Sequence, residues 1–136
     1  MKKFTLLYKK LNYQFQNPKY LQQALTHRSA NSNHNERLEF LGDAILNMVI
    51  ADIVFNKFLN ESEGQLSRLR SYLVKEETLA HIAKNINLSD YLIMGQGELK
   101  SGGFRRNSIL ADALEAIFAA IYLDSNLDQK IGRAHV

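Results

Sequence analysis

Apolar residues recur along this chain with helical periods, and in one stretch the pattern is interrupted by acids. From Glu36 to Phe58 the sequence ERLEFLGDAILNMVIADIVFNKF is apolar on nearly every side, which predicts a long and largely buried helix. At about 100° per residue, Glu36, Glu39 and Asp43 fall within an arc of roughly 60° on it. A carboxylate in such a setting costs on the order of several kcal/mol unless it is paired, hydrogen-bonded or bound to metal. Something cationic must therefore meet the stripe. A second apolar helix is predicted over 107–123, NSILADALEAIFAAIYL, where Asp112 and Glu115 are the only charged side chains. Their i, i+3 spacing puts both on one face. If the two helices pack face to face, up to five carboxylates converge, and a hard divalent cation with oxygen ligands is the chemistry that suits them. Mg²⁺ is the first candidate.

The remaining segments also read as helices. Residues 4–13 carry a weak helical pattern, and Asn17-Pro18 supplies a capping residue followed by proline at the first helical position. That short helix runs through Leu21, Ala24 and Leu25 and is predicted to stop near His27. Residues 29–35 are polar and turn-prone. Ser62-Glu63-Gly64-Gln65 has the form of a capping box, opening a basic amphipathic helix that is predicted to bury Leu66, Leu69, Tyr72 and Leu73. A helix over 76–85 is predicted to bury Leu79, Ile82 and Ala83, and a shorter one covers 89–94. Gly95 to Arg106 reads as a glycine-rich cationic loop ending at the N-terminus of the second acidic helix, where exposed amides favour an anion; the bland alternative is a surface turn with solvated charges. Phe40, Met48, Phe55, Phe58 and Phe118 sit at helical spacing and are core by default. Repeats, low-complexity tracts and sustained period-two alternation are absent from the sequence, so the expectation is an all-α domain.

Composition narrows the class. At 136 residues with 46% hydrophobic content, one domain with a real core is expected. The net charge of +3 permits an anionic partner without demanding one. With no cysteine, disulfides, thiolate metal sites and zinc fingers are excluded. No run approaches the roughly 20 apolar residues that span a bilayer, and nothing reads as a secretion signal; the expectation is a cytoplasmic protein with no membrane partner and no organic cofactor. The final residues 131–136, IGRAHV, resemble a translated adapter sequence, so the domain is taken as 1–130, C-terminally truncated, with a non-native tail.

The stretch Asn35 to Asp43 resembles the signature of the ribonuclease III family. Gly97-Glu98-Leu99-Lys100-Ser101-Gly102-Gly103-Phe104-Arg105-Arg106 with Ile109-Leu110-Ala111-Asp112 resembles that family's second block, and Leu25-Thr26-His27-Arg28-Ser29 is similar to a third motif. The resemblance runs from about the N-terminus to Asp124. It implies the all-helical endonuclease-domain fold, a homodimer joined through the signature helix, and Mg²⁺-dependent cleavage of double-stranded RNA, with Mn²⁺ able to substitute. The products implied are 5′-phosphate and 3′-hydroxyl ends with short 3′ overhangs, in rRNA and mRNA processing. By the same resemblance Glu39, Asp112 and Glu115 are metal ligands, Asp43 and Glu115 are the catalytic acids, and Glu36 is an auxiliary acid or dimer contact. Lys100, Arg105, Arg106 and Arg68 are the candidate RNA contacts. Phe40 projects into a dimer partner in the family pattern.

Each assignment has a structural competitor. Glu36 could be a surface acid favoured by the helix dipole, Glu39 could pair with Arg28 or His27, Gly42 could serve close helix approach, and His27 could be a packed, hydrogen-bonded histidine. At the level of the domain, the alternatives are a catalytically inactive RNA-binding or ribonucleoprotein scaffold and a short-form enzyme acting on ribosomal precursor RNA.

Overall fold

The computed structural model describes residues 2–125; the proposed boundary at 130 and the tail over 131–136 lie outside the described residues. A 3-10 turn (Lys2–Phe4) leads into α1 (Thr5–Leu11), followed by α2 (Pro18–Ala24), α3 (Glu36–Lys57), α4 (Glu63–Val74) and α5 (Glu76–Asn85). Beyond a 3-10 turn at Leu88–Tyr91 come α6 (Gln96–Lys100), another 3-10 turn (Gly103–Arg105) and α7 (Asn107–Ser125). The domain is all-α: among the described residues the extended pairing is a single isolated bridge between Thr26 and Ile93. No helix among the described residues is long and apolar enough to cross a membrane.

Helix α7 occupies the centre. It buries Leu110, Leu114 and Ile117 together with Ala111, Ala113, Ala116, Ala119 and Ala120, and these small residues let α2, α3 and α5 pack closely around it. The tightest approach is to α3, where a Cβ on Gly42 would overlap the backbone carbonyl of Glu115. Close helix approach is thus what Gly42 provides.

The start of α2 and the end of α7 are pinned by polar contacts. The Asn17 side chain caps α2 by accepting from the Lys19 amide at 3.2 Å, with Pro18 at the first helical position. Near the end of α7, Asp124 is buried and accepts from the Tyr13 hydroxyl at 2.6 Å and from the amides of Gln16 and Asn17 at 2.9 and 2.8 Å. These bonds hold its carboxyl below the usual carboxylate range despite burial, while burial and the same contact push the Tyr13 hydroxyl up to about 12.

Several sequence expectations need correction. Helix α3 is not largely buried: it sinks Leu38, Gly42, Leu46 and Val54, while Phe40 is 82% exposed, Phe55 66% and Met48 65%. Those three share an arc of about 80° facing away from α7, so they are not core; Phe58 is also exposed, and Phe118 packs against the core half-buried. Helix α4 buries no residue at all, with Tyr72 and Leu73 exposed and Leu66 and Leu69 half-covered. It lies outside the bundle on α3 and touches α5 lightly, so its apolar stripe is covered from one side only. Ser62 Oγ does cap the Gln65 amide at 3.2 Å, but the Gln65 side chain accepts from Arg68 Nε at 3.3 Å. In α5, Leu79 and Ala83 are buried and Ile82 is exposed. The helix expected over 89–94 is the single turn Leu88–Tyr91, and the expected loop over 95–106 is mostly α6 and a 3-10 turn.

Candidate active site

The acids of α3 reach the centre because of how the helix begins. Asn35 is buried, donates from Nδ2 to the Ala24 carbonyl at 3.0 Å, and donates its amide to the Thr26 carbonyl at 3.0 Å. Its own carbonyl accepts from the Glu39 amide at 2.8 Å. The first turn of α3 is therefore fastened to the end of α2, and Glu39 points toward α7. Gly42, one turn later, brings the backbone of α3 onto that of Glu115.

Between these helices, carboxylate oxygens of Glu39, Asp112 and Glu115 lie within 4.8 Å of one another, and all three side chains are half-buried. Glu39 is pushed up to about 7, first by burial, then by repulsion from and hydrogen bonding with Asp112, then by Glu36 and Asp43. Glu115 is pushed up to about 8 by burial, by a hydrogen bond with Asp43, and by the charges of Asp43, Asp112 and Glu39. Asp112 is also raised, chiefly by burial and further by Glu76 and Glu36, against lowering contributions from the Glu39 hydrogen bond and from His27. No salt bridge among the described residues reaches any of the three. Hard oxygen donors held together at the cost of mutual repulsion can share protons or hold a cation, and the donor set fits a hard divalent ion such as Mg²⁺ or Mn²⁺.

The other candidates divide. Asp43 is exposed beside Glu115, and Asn47 Nδ2 donates to its carbonyl at 2.9 Å and to its carboxylate at 3.4 Å. Glu36 is drawn toward Arg28, at 3.4 Å, and stands at the rim. The competing pairing of Glu39 with Arg28 or His27 does not form, since Arg28 engages Glu36 and His27 Nδ1 engages Ser29. Of the four proposed RNA contacts, Arg106 lines the cleft that contains Glu39 and Asp112, a space of about 370 Å³. It is paired with Glu98 at 3.3 Å and donates to Ser101 at 3.3 Å. Lys100 and Arg105 are exposed on the segment before α7, Arg105 over the Phe104 ring at 5.0 Å, and Arg68 stays on α4 with Gln65.

Sequence reasoning assigned no role to Glu98, Asn35, Ser108 or Glu76. Glu98 and Ser108 line the cleft, and Gly103 makes room for the Glu98 carboxylate, which a Cβ there would strike. The expected open glycine cradle is therefore filled by the chain's own acid. Glycine is required for a different reason at Gly102, whose φ is +79°. The signal that could have found Glu98 was its presence in the resembling block; Glu76 gives none in sequence, since it reads as an ordinary acid in the first turn of a helix.

Comparison with known proteins agrees with this geometry. Residues 17–131 match the family model described as Ribonuclease-III-like. A protein named Ribonuclease 3 from Legionella pneumophila is 67% identical over 121 residues, covering 89% of this chain and 54% of the relative. The chain thus spans about half the length of the curated relatives it matches. Among solved structures, the nuclease domain of ribonuclease III from Campylobacter jejuni superposes with a TM-score of 0.88 at 46% identity, covering 94% of this chain and 88% of that one. Dicer from Pichia stipitis superposes at 0.65 with 28% identity, covering 85% of this chain and 49% of that one. The matched residues include both helices that bring the acids together, and on that match the chain belongs to the ribonuclease-III-like family.

Proposed function

We propose that this chain is the catalytic domain of a divalent-cation-dependent endoribonuclease that hydrolyses phosphodiesters of double-stranded RNA, leaving 5′-phosphate and 3′-hydroxyl ends with short 3′ overhangs. The observation that carries the reading is the set of three half-buried carboxylates from two distant helices, within 4.8 Å, with no salt bridge to relieve them. A scaffold that only bound RNA would be better served by apolar residues there, because acids in that setting oppose folding.

In this mechanism Glu39, Asp112 and Glu115 would hold the ion, Mg²⁺ in the first instance and Mn²⁺ in its place. When bound, it would supply a more acidic water and positive charge to offset the negative charge that builds on the phosphate. The chain's own residues do the positioning. Asp43, exposed beside Glu115 and held by Asn47, offers an acceptor for a proton from the attacking water. Arg106, braced by Glu98 and Ser101, presents a guanidinium to the strand; Lys100, Arg105 and Arg68 contact phosphates farther out. Recognition by shape, phosphates and 2′-hydroxyls suits duplex RNA, whose deep groove hides base edges.

The domain acts as a symmetric homodimer. Phe40 stands exposed next to a groove of about 610 Å³ lined in part by Leu38, Leu41 and Leu123, so a two-fold axis through α3 lets each Phe40 enter the partner's groove. One of the Campylobacter structures concerns a region involved in dimer formation of that nuclease domain, which supports the reading. The setting is the cytoplasm and the work is rRNA and mRNA processing. The test is cleavage of long duplex RNA with and without MgCl₂: products of 5′-phosphate type that need the ion are expected, and binding without products at any Mg²⁺ or Mn²⁺ level would overturn the proposal.

A further inference from the structure

The motif around His27 is not used by the mechanism above, and its hydrogen bonds fix the chemical state of the ring. The Gly95 amide donates to Ser29 Oγ at 2.9 Å, and that hydroxyl, 2.8 Å from His27 Nδ1, keeps its own hydrogen free to donate to the ring. The Ser29 amide also donates to Nδ1, at 3.2 Å. An Nδ1 that accepts twice carries no proton, so in the neutral imidazole the hydrogen resides on Nε2. The loop is held in place to do this: the His27 amide donates to the Ile93 carbonyl at 2.8 Å, and a Cβ on Gly95 would strike the Ser29 carbonyl.

The ring lines the same cleft as Glu39, Asp112, Arg106 and Ser108, and Nε2 has no hydrogen-bond partner among the described residues. We propose that His27 is a substrate-contacting residue whose Nε2–H donates to a backbone phosphate oxygen of the RNA strand lying beside the carboxylate cluster. This rests on the nuclease reading of that cluster and extends it. An N–H donor is suited to the position, since a phosphate oxygen offers acceptor lone pairs and no hydrogen of its own. Ser29 and Gly95 are then positioning residues, acting through the tautomer.

The test combines nitrogen-15 NMR of histidine-labelled protein with kinetics. The His27 signal, assigned by its loss in His27→Gln, is expected to be the Nε2–H tautomer and to move when short duplex RNA is added in CaCl₂. Ser29→Ala is expected to give a mixture of tautomers with the fold unchanged. His27→Leu is expected to lower kcat/KM on duplex RNA by about tenfold or more, and His27→Gln, whose amide can place a donor near the Nε2 position, to recover most of it. An Nδ1–H tautomer, a signal unmoved by RNA that binds, or a His27→Leu protein with wild-type kcat/KM overturns the inference while leaving the nuclease reading intact. If no RNA is cleaved by the wild-type chain, the nuclease reading fails and the NMR titration still decides the contact; a protein that binds no duplex overturns both.

Discussion

Gly42 of α3 lies flush against the backbone carbonyl of Glu115 on α7, so that any side chain at position 42 would occupy the space of that carbonyl. The same contact that packs the two central helices therefore sets the distance between the acids each one carries. Gly42→Ala is expected to force the helices apart. Because the obstacle is backbone, overpacking at the upper end of the usual range is expected, about 3 kcal/mol. Urea denaturation reads that cost, and Mn²⁺ affinity measured on the folded variant is expected to fall with it, since the cluster is spread. Unchanged stability and affinity would show that the approach does not position the acids.

The raised carboxyls make stability depend on pH in a specific direction. With Glu39 at about 7 and Glu115 at about 8 in the folded protein, against an ordinary value of 4.5, the native state holds protons that the unfolded chain has released. The stabilisation is complete below about pH 4.5 and is lost as pH rises toward 7 to 8. In EDTA the urea midpoint is expected to fall between about pH 5.5 and pH 8.5, and MgCl₂ is expected to restore it most at the higher pH, where the acids are ionised. A midpoint that climbs over this interval in EDTA contradicts the assigned repulsion.

Asp124 works in the opposite sense. Its lowered carboxyl contributes stability above the ordinary value of 3.8, lost as pH falls through the folded value. Asp124→Asn removes the charge that accepts from Tyr13, Gln16 and Asn17, and is expected to cost about 2–4 kcal/mol. Cleavage at a temperature where the variant remains folded is expected to be unaffected, because the carboxylate cluster is not involved.

Phe40→Asp tests the assembly. Since this side chain is 82% exposed in the single chain, the fold is expected to tolerate the change while the dimer dissociates, read by sedimentation equilibrium. A variant that stays dimeric would move the two-fold axis elsewhere.

Where the sequence could be read and where it could not follows from what each signal measures. Helical periodicity located α3, α5 and α7 to within a few residues, and Asn17-Pro18 marked the start of α2, because caps and periods are local. The meeting of Glu39 with Asp112 and Glu115 was inferred from the cost of isolated acids on apolar helices, a cost that holds whatever the topology. Periodicity failed at Phe40, Met48, Phe55 and Tyr72, since an apolar side chain reads the same whether it faces its own core or stands exposed. It failed again over 95–106: glycines suggested an open loop, whereas Gly103 is small in order to seat the Glu98 carboxylate. Nothing local in the sequence marks Asp124, because its three donors come from a segment about 110 residues earlier.

The most direct test of the central claim is calorimetric Mn²⁺ binding to the wild-type chain and to Glu115→Gln, with duplex cleavage measured on the same samples. The variant is expected to fold and dimerise as the wild type does, to bind the ion more than about tenfold more weakly, and to lose nearly all cleavage. A Glu115→Gln protein that binds Mn²⁺ and cuts duplex RNA as the wild type does would contradict the account.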